Sequence, residues 1–116
     1  MKHSGSCHCG KIAFELEGDI QDVIECNCSI CRRKGSLLWF GPREALVLST
    51  PESDLATYTF NKHHLQHRFC TSCGISPFCE GDNPKTGTRM DAVNVRCLPD
   101  VDLKALNVTE YDGAKL

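Results

Sequence analysis

Three cysteines fall within the six residues Cys26-Asn27-Cys28-Ser29-Ile30-Cys31. Thiols this close make poor disulfide partners, and a pairing would leave one over. A soft metal ion can use all three. Zinc takes thiolate sulfurs at the corners of a tetrahedron, so a tight turn that throws three sulfurs to one side leaves a fourth corner to be filled by protein, water or substrate. Two further pairs have ligand spacing: Cys7-His8-Cys9 and Cys70-Thr71-Ser72-Cys73. Each is followed by a glycine, Gly10 and Gly74, a residue that accepts the positive φ on which such turns close. The Cys70/Cys73 spacing would also suit a redox dithiol. That chemistry places a helix of a βαβ unit after the pair, whereas Ile75 to Cys79 reads as extended.

Seven of the nine cysteines therefore occupy motif positions, and two closed tetrahedral sites would need eight ligands. In one arrangement Cys7, Cys9, Cys70 and Cys73 form a four-thiolate structural site whose binding energy acts as folding energy. Cys26, Cys28 and Cys31 are then left as a three-ligand site. In the other, the second site is closed by Cys79, Cys97 or a histidine. Spacing leaves both open. Cys97, on an apolar strand face, reads as a small buried hydrophobe rather than a ligand. His63, His64 and His67 precede the Cys70/Cys73 pair; the first two suit a surface, and His67 could hydrogen-bond a ligand. Trp39 and Phe40 read as core residues or as one wall of a pocket beside the zinc.

The elements that must hold these turns read as short strands. Lys11 to Glu17 alternates, with Ile12, Phe14 and Leu16 on one face, and Gly18-Asp19 ends it. Asp22 to Glu25 delivers the chain into the triple-cysteine turn. Arg32-Arg33-Lys34-Gly35 can close one helical turn, with Ser29 as N-cap and Gly35 as terminator. Leu37 to Phe40 is stopped by Gly41-Pro42, and Leu46 to Leu48 and Thr57 to Phe60 are further strands around the turn at Thr50 to Asp54. Met90 to Leu98 is the clearest late strand, placing Val93, Val95 and Cys97 on one side. Pro99 to Leu116 carries Val101, Leu103, Leu106 and Val108 at mixed spacing that leaves helix and strand both open. Roughly eight short strands separated by turn signals predict one all-β domain over residues 1–116, built of several small, coiled antiparallel sheets.

Composition narrows the function classes. In 116 residues, 13 Lys and Arg stand against 15 Asp and Glu, a balance without the basic face that counterion release from nucleic acid requires. The basic run Arg32-Arg33-Lys34 is a solvated turn, or else offsets the charge of a tris-thiolate zinc or steers an anionic substrate. No apolar run follows Met1-Lys2-His3-Ser4-Gly5, and Leu37 to Phe40 is too short to cross a bilayer. These features predict a cytoplasmic protein with no membrane partner. An odd number of cysteines in a reducing compartment further favours metal ligation over cystine.

Ser6-Cys7-His8-Cys9-Gly10, Cys26-Asn27-Cys28-Ser29-Ile30-Cys31-Arg32, Phe69-Cys70-x-x-Cys73-Gly74-Ile75 and Ala92-Val93-Asn94-Val95-Arg96-Cys97-Leu98 together resemble the glutathione-dependent formaldehyde-activating enzyme family, whose domain also occurs in centromere protein V. The resemblance runs from about residue 3 to the end. It implies a small all-β zinc domain with two zincs per chain. The structural zinc would be on Cys7, Cys9, Cys70 and Cys73, and the catalytic zinc on Cys26, Cys28 and Cys31. It further implies a carbon–sulfur lyase joining formaldehyde to glutathione as S-hydroxymethylglutathione. By charge, Arg96, Asn94 or Arg32 could meet the carboxylates of such a thiol, and Trp39 could wall its pocket. The competing expectation is a non-catalytic zinc module that binds a protein partner.

Overall fold

A computed structural model describes residues 1–60, 65–83 and 85–115. The chain is mainly β, its strands forming two sheets. The smaller has the order β1-β2-β5, with β1 at Lys2–Ser6, β2 at Ala13–Glu17 and β5 at Leu46–Leu48. The alternation of β2 is realised: Phe14 and Leu16 are each 1% exposed, and Glu15 and Glu17 face outward. Gly5 of β1 lies opposite Phe14, where an added Cβ would stand 2.4 Å from the ring. A side chain there would displace the phenyl group from the core.

The larger sheet runs β10-β3-β4-β9-β8-β7-β6. Its strands are β3 at Asp22–Cys26, β4 at Leu38–Pro42, β6 at Leu55–Tyr58, β7 at Gln66–Cys70, β8 at Phe78–Asp82, β9 at Arg89–Asn94 and β10 at Asn107–Tyr111. Neighbours are antiparallel except β10 and β3, which are parallel. Phe14 meets Phe78 of the other sheet edge to face, with ring centroids 6.4 Å apart. Val93, Val95, Leu98 and Leu46 fill the space around the pair. Each such side chain contributes about 1.5–3 kcal/mol by leaving water.

Three features depart from the sequence expectation. The late strand stops at Asn94, because the Asn94 side chain accepts the backbone N–H of Arg96 and turns Val95–Cys97 into a 3-10 helix. Two strands, β1 and β7, lack a clean apolar alternation; β7 buries His67 and Arg68 side by side. The tail is the third: its Asn107–Tyr111 segment pairs with β3 although all five residues are exposed.

These elements set up one opening. β3 and β4 pair only at Ile24 and Leu38, so the chain between them is free to swing out at the end of β3. That excursion holds the triple-cysteine turn and a single helical turn, α1 at Cys31–Lys34. Gly35 ends α1 at φ 69° and donates its N–H to Cys31 O; Ile30, rather than Ser29, takes the N-cap position.

Candidate metal centres and cleft

The four sulfurs of Cys7, Cys9, Cys70 and Cys73 lie within 4.8 Å of one another. Cys7 and Cys9 follow β1, and Cys70 ends β7, so the cluster joins the two sheets. Cys9 Sγ stands 3.7 Å from Cys7 Sγ and 3.6 Å from Cys70 Sγ. A tetrahedron of sulfurs at a zinc–sulfur distance of about 2.3 Å has edges of about 3.8 Å, so the donor set fits zinc. Backbone N–H groups already point at these sulfurs: Ile12 donates to Cys7 Sγ at 3.3 Å, Ser72 and Cys73 to Cys70 Sγ at 3.3 and 3.4 Å. Gly10 at φ 84° and Gly74 at φ 78° permit the turns that aim them. The backbone N–H groups of Cys9 and then Ile75 hold the Cys73 thiol down to about 6. Such donors stabilise thiolate, the form that binds metal.

Cys26, Cys28 and Cys31 form the second cluster, also with sulfurs within 4.8 Å of one another. No fourth His, Cys, Asp or Glu donor joins it among the described residues. All three are half-buried. Burial opposes ionisation of Cys28, but donors led by the Cys31 backbone outweigh it and lower that thiol. Burial, then the neighbouring Cys28, pushes Cys31 up. Ionising Cys28 thus opposes ionising Cys31, a repulsion that a bound cation would relieve.

The turn is clamped by the tail. Asn27 N–H donates to Tyr111 O at 3.2 Å. The Asn27 side chain donates to Asp112 Oδ1 and accepts from the Ala114 N–H, both at 3.0 Å. Gly113 sits so close that a Cβ there would lie 2.5 Å from Cys26 Sγ. Asn27 was visible between two motif cysteines, but nothing in the sequence showed what it holds. The strand-forming residues Val108, Thr109 and Tyr111 were the one signal that the tail is β.

A cleft of roughly 530 Å³ opens between this turn, α1 and β10, with Cys26, Cys31 and Arg32 on its wall. That size lies within the range of small-molecule sites. None of the other candidate substrate residues lines the cleft: Arg96 donates its Nε–H to the O of Gly35, a lining residue, at 3.1 Å, and Asn94 caps the 3-10 turn. Trp39 packs in the core cluster instead, between Gly18 and Gly41. Cys79 is buried beside Leu38, Ala92 and Cys31, and Cys97 lies in the core with Cys7. His67 accepts from Lys34 Nζ at 3.4 Å and stacks on Phe60. Burial and then Lys34 pull it down to about 4, so it is neutral near pH 7. His63 and His64 lie outside the described residues. No helix among the described residues is long and apolar enough to cross a membrane.

Comparison with known proteins gives two findings. Residues 2–107 match the sequence profile of the family described as glutathione-dependent formaldehyde-activating enzyme. The chain is also similar to the crystal structure of a Rhodobacter sphaeroides protein, at 29% identity and a TM-score of 0.76. That match covers 94% of this chain and 100% of the other.

Proposed function

Because the chain belongs to the glutathione-dependent formaldehyde-activating enzyme family, we propose that it is a carbon–sulfur lyase-type enzyme acting on adducts of a small thiol with an aldehyde. In this reading residues 1–116 work as one domain. Cys7, Cys9, Cys70 and Cys73 hold a structural zinc, and Cys26, Cys28 and Cys31 hold a second. Glutathione and formaldehyde are the family's pair of reactants.

The observation that carries the reading is the three-sulfur cluster with no fourth protein donor among the described residues, opening on a cleft through Cys26 and Cys31. Zinc bound there would supply Lewis acidity and keep a substrate thiol ionised near neutral pH. The chain's own residues do the remaining work. Asn27 and the tail fix the turn, and the cleft walls hold thiol and aldehyde within reach of one another. Arg32, exposed on the cleft wall, can pair a carboxylate. The sulfur–carbon bond forms as the carbonyl π electrons move to oxygen, which takes up a proton, and the thiol loses one.

The test is an NMR exchange assay of glutathione with formaldehyde on the zinc-loaded protein. Interconversion with S-hydroxymethylglutathione is expected to be faster than in buffer and to return to the buffer rate in Cys28→Ser. A rate equal to buffer across several thiols and aldehydes rejects the reading.

One observation favours a second reading, a zinc module docking a protein. Ser29, Ile30, Arg33, Tyr58 and Phe60 line a shallow depression beside the cysteine turn, and Tyr58 is 53% exposed. Catalytic turnover lost in Cys28→Ser would count against it.

A further inference from the structure

The walls of the cleft carry a charge pattern that the cysteine motifs do not require. Glu25 and Glu110 both line it and are register partners in the parallel β3–β10 pair. Like charges directly opposite across a strand pair are destabilising. Neither carboxylate has a salt bridge or a side-chain hydrogen bond among the described residues. Asp112 adds a third carboxylate, already accepting from Asn27. Against these three stands one lining cation, Arg32. A separate observation marks the cleft as a ligand site: Ser36 lines it at 3% exposure, and its hydroxyl has no hydrogen-bond partner among the described residues.

We propose that this cleft selects thiols that carry an ammonium group, an aminothiol or the amino end of a thiol peptide. The ammonium sits between Glu25 and Glu110 while the sulfur reaches Cys26, Cys28 and Cys31. Ser36 accepts from the ligand, and Arg32 takes a carboxylate where the ligand has one. The inference rests on the reading that the three-cysteine site is open to a thiol, and it names the class of thiol. Glu25 lies within the family match, and Glu110 and Asp112 lie beyond residue 107, where it ends.

The test uses the full chain loaded with cobalt(II), whose visible absorption changes when an added thiol coordinates. Cysteamine, 2-mercaptoethanol and 3-mercaptopropionate share a short reach and differ in charge. With each affinity referred to the thiolate form, so that the thiols' own acidities cancel, cysteamine at low ionic strength is expected to bind about fivefold or more tightly than 3-mercaptopropionate, the scale of one close charge pair in water. The ratio should shrink at high salt. It should fall toward one in Glu25→Gln/Glu110→Gln and persist in Glu15→Gln, which removes an exposed charge from the other sheet. Equal affinities, or a preference for the carboxylate thiol, overturn the inference while the visible thiol binding leaves the open site standing. A spectrum that no thiol changes rejects the open site, and the inference with it.

Discussion

Asn27 and Asp112 are 85 residues apart and joined at 3.0 Å, the Asn27 Nδ2 donating to Asp112 Oδ1. Through this bond the residue that follows β10 holds the middle of the triple-cysteine turn. Partners that orient metal ligands commonly set affinity by an order of magnitude or more. Asn27→Ala is therefore expected to weaken metal binding at Cys26, Cys28 and Cys31 about tenfold, and Gly113→Ala to do the same by pressing on Cys26 Sγ. Chelator competition measures this, with the four-cysteine site as internal control. Equal loss at both sites would mean a general loss of fold.

The two clusters should separate in their effect on stability. Cys70→Ser breaks the cluster that ties the Cys7/Cys9 turn to the end of β7, so it should abolish the cooperative melting transition. Cys28→Ser, in a cluster confined to one excursion between β3 and β4, should melt cooperatively with one metal ion fewer by native mass spectrometry. Identical melting in both variants would contradict this division.

Asp91 gives a pH signature. It is 1% exposed, neither oxygen has a hydrogen bond, and its nearest cation, Arg43, is 3.9 Å away. Burial pushes its carboxyl up to about 7, against Arg43 and with help from Glu80. A carboxyl raised above its unfolded value of 3.8 stabilises most below that pH and loses its contribution as pH rises through about 7. Relative to wild type, Asp91→Asn should therefore melt progressively higher from about pH 4 to about pH 7, the span between the unfolded and folded values, and level off above it. A melting difference that stays flat with pH would show that Asp91 titrates as an ordinary carboxylate.

Trp39 is the single tryptophan, and a Cβ on Gly41 would lie 2.4 Å from its ring. Gly41→Ala should destabilise by about 1–3 kcal/mol through overpacking, with a shift in tryptophan emission read in the same urea titration. An unshifted emission with unchanged midpoint would place the ring elsewhere.

Much of this was legible in residue order. The burial of Ile12, Phe14 and Leu16 follows from strict alternation, and the grouping of sulfurs into four and three agrees with their turn spacings. Where local pattern and long-range contact disagreed, contact won. Met90 to Leu98 alternates throughout, yet Asn94 breaks it with its own side chain. β7 carries two buried polar residues, Arg68 with Glu80 of β8 at 3.9 Å and His67 with Lys34 at 3.4 Å, so its sequence does not look like a strand at all.

The sequence by itself determined which cysteines share a turn with ligand spacing, because a separation of one or two residues sets sulfur directions locally; that the Cys7/Cys9 turn meets the Cys70/Cys73 turn, 61 residues on, is tertiary. Only the tertiary structure decided what surrounds them. The tail has no apolar face to announce it. Its place beside β3 comes from backbone hydrogen bonds, which form whatever the side chains are, and from an Asn27–Asp112 contact between two residues that carry no signal in isolation. The acidic wall of the cleft exists because of that pairing and cannot be read from either strand alone.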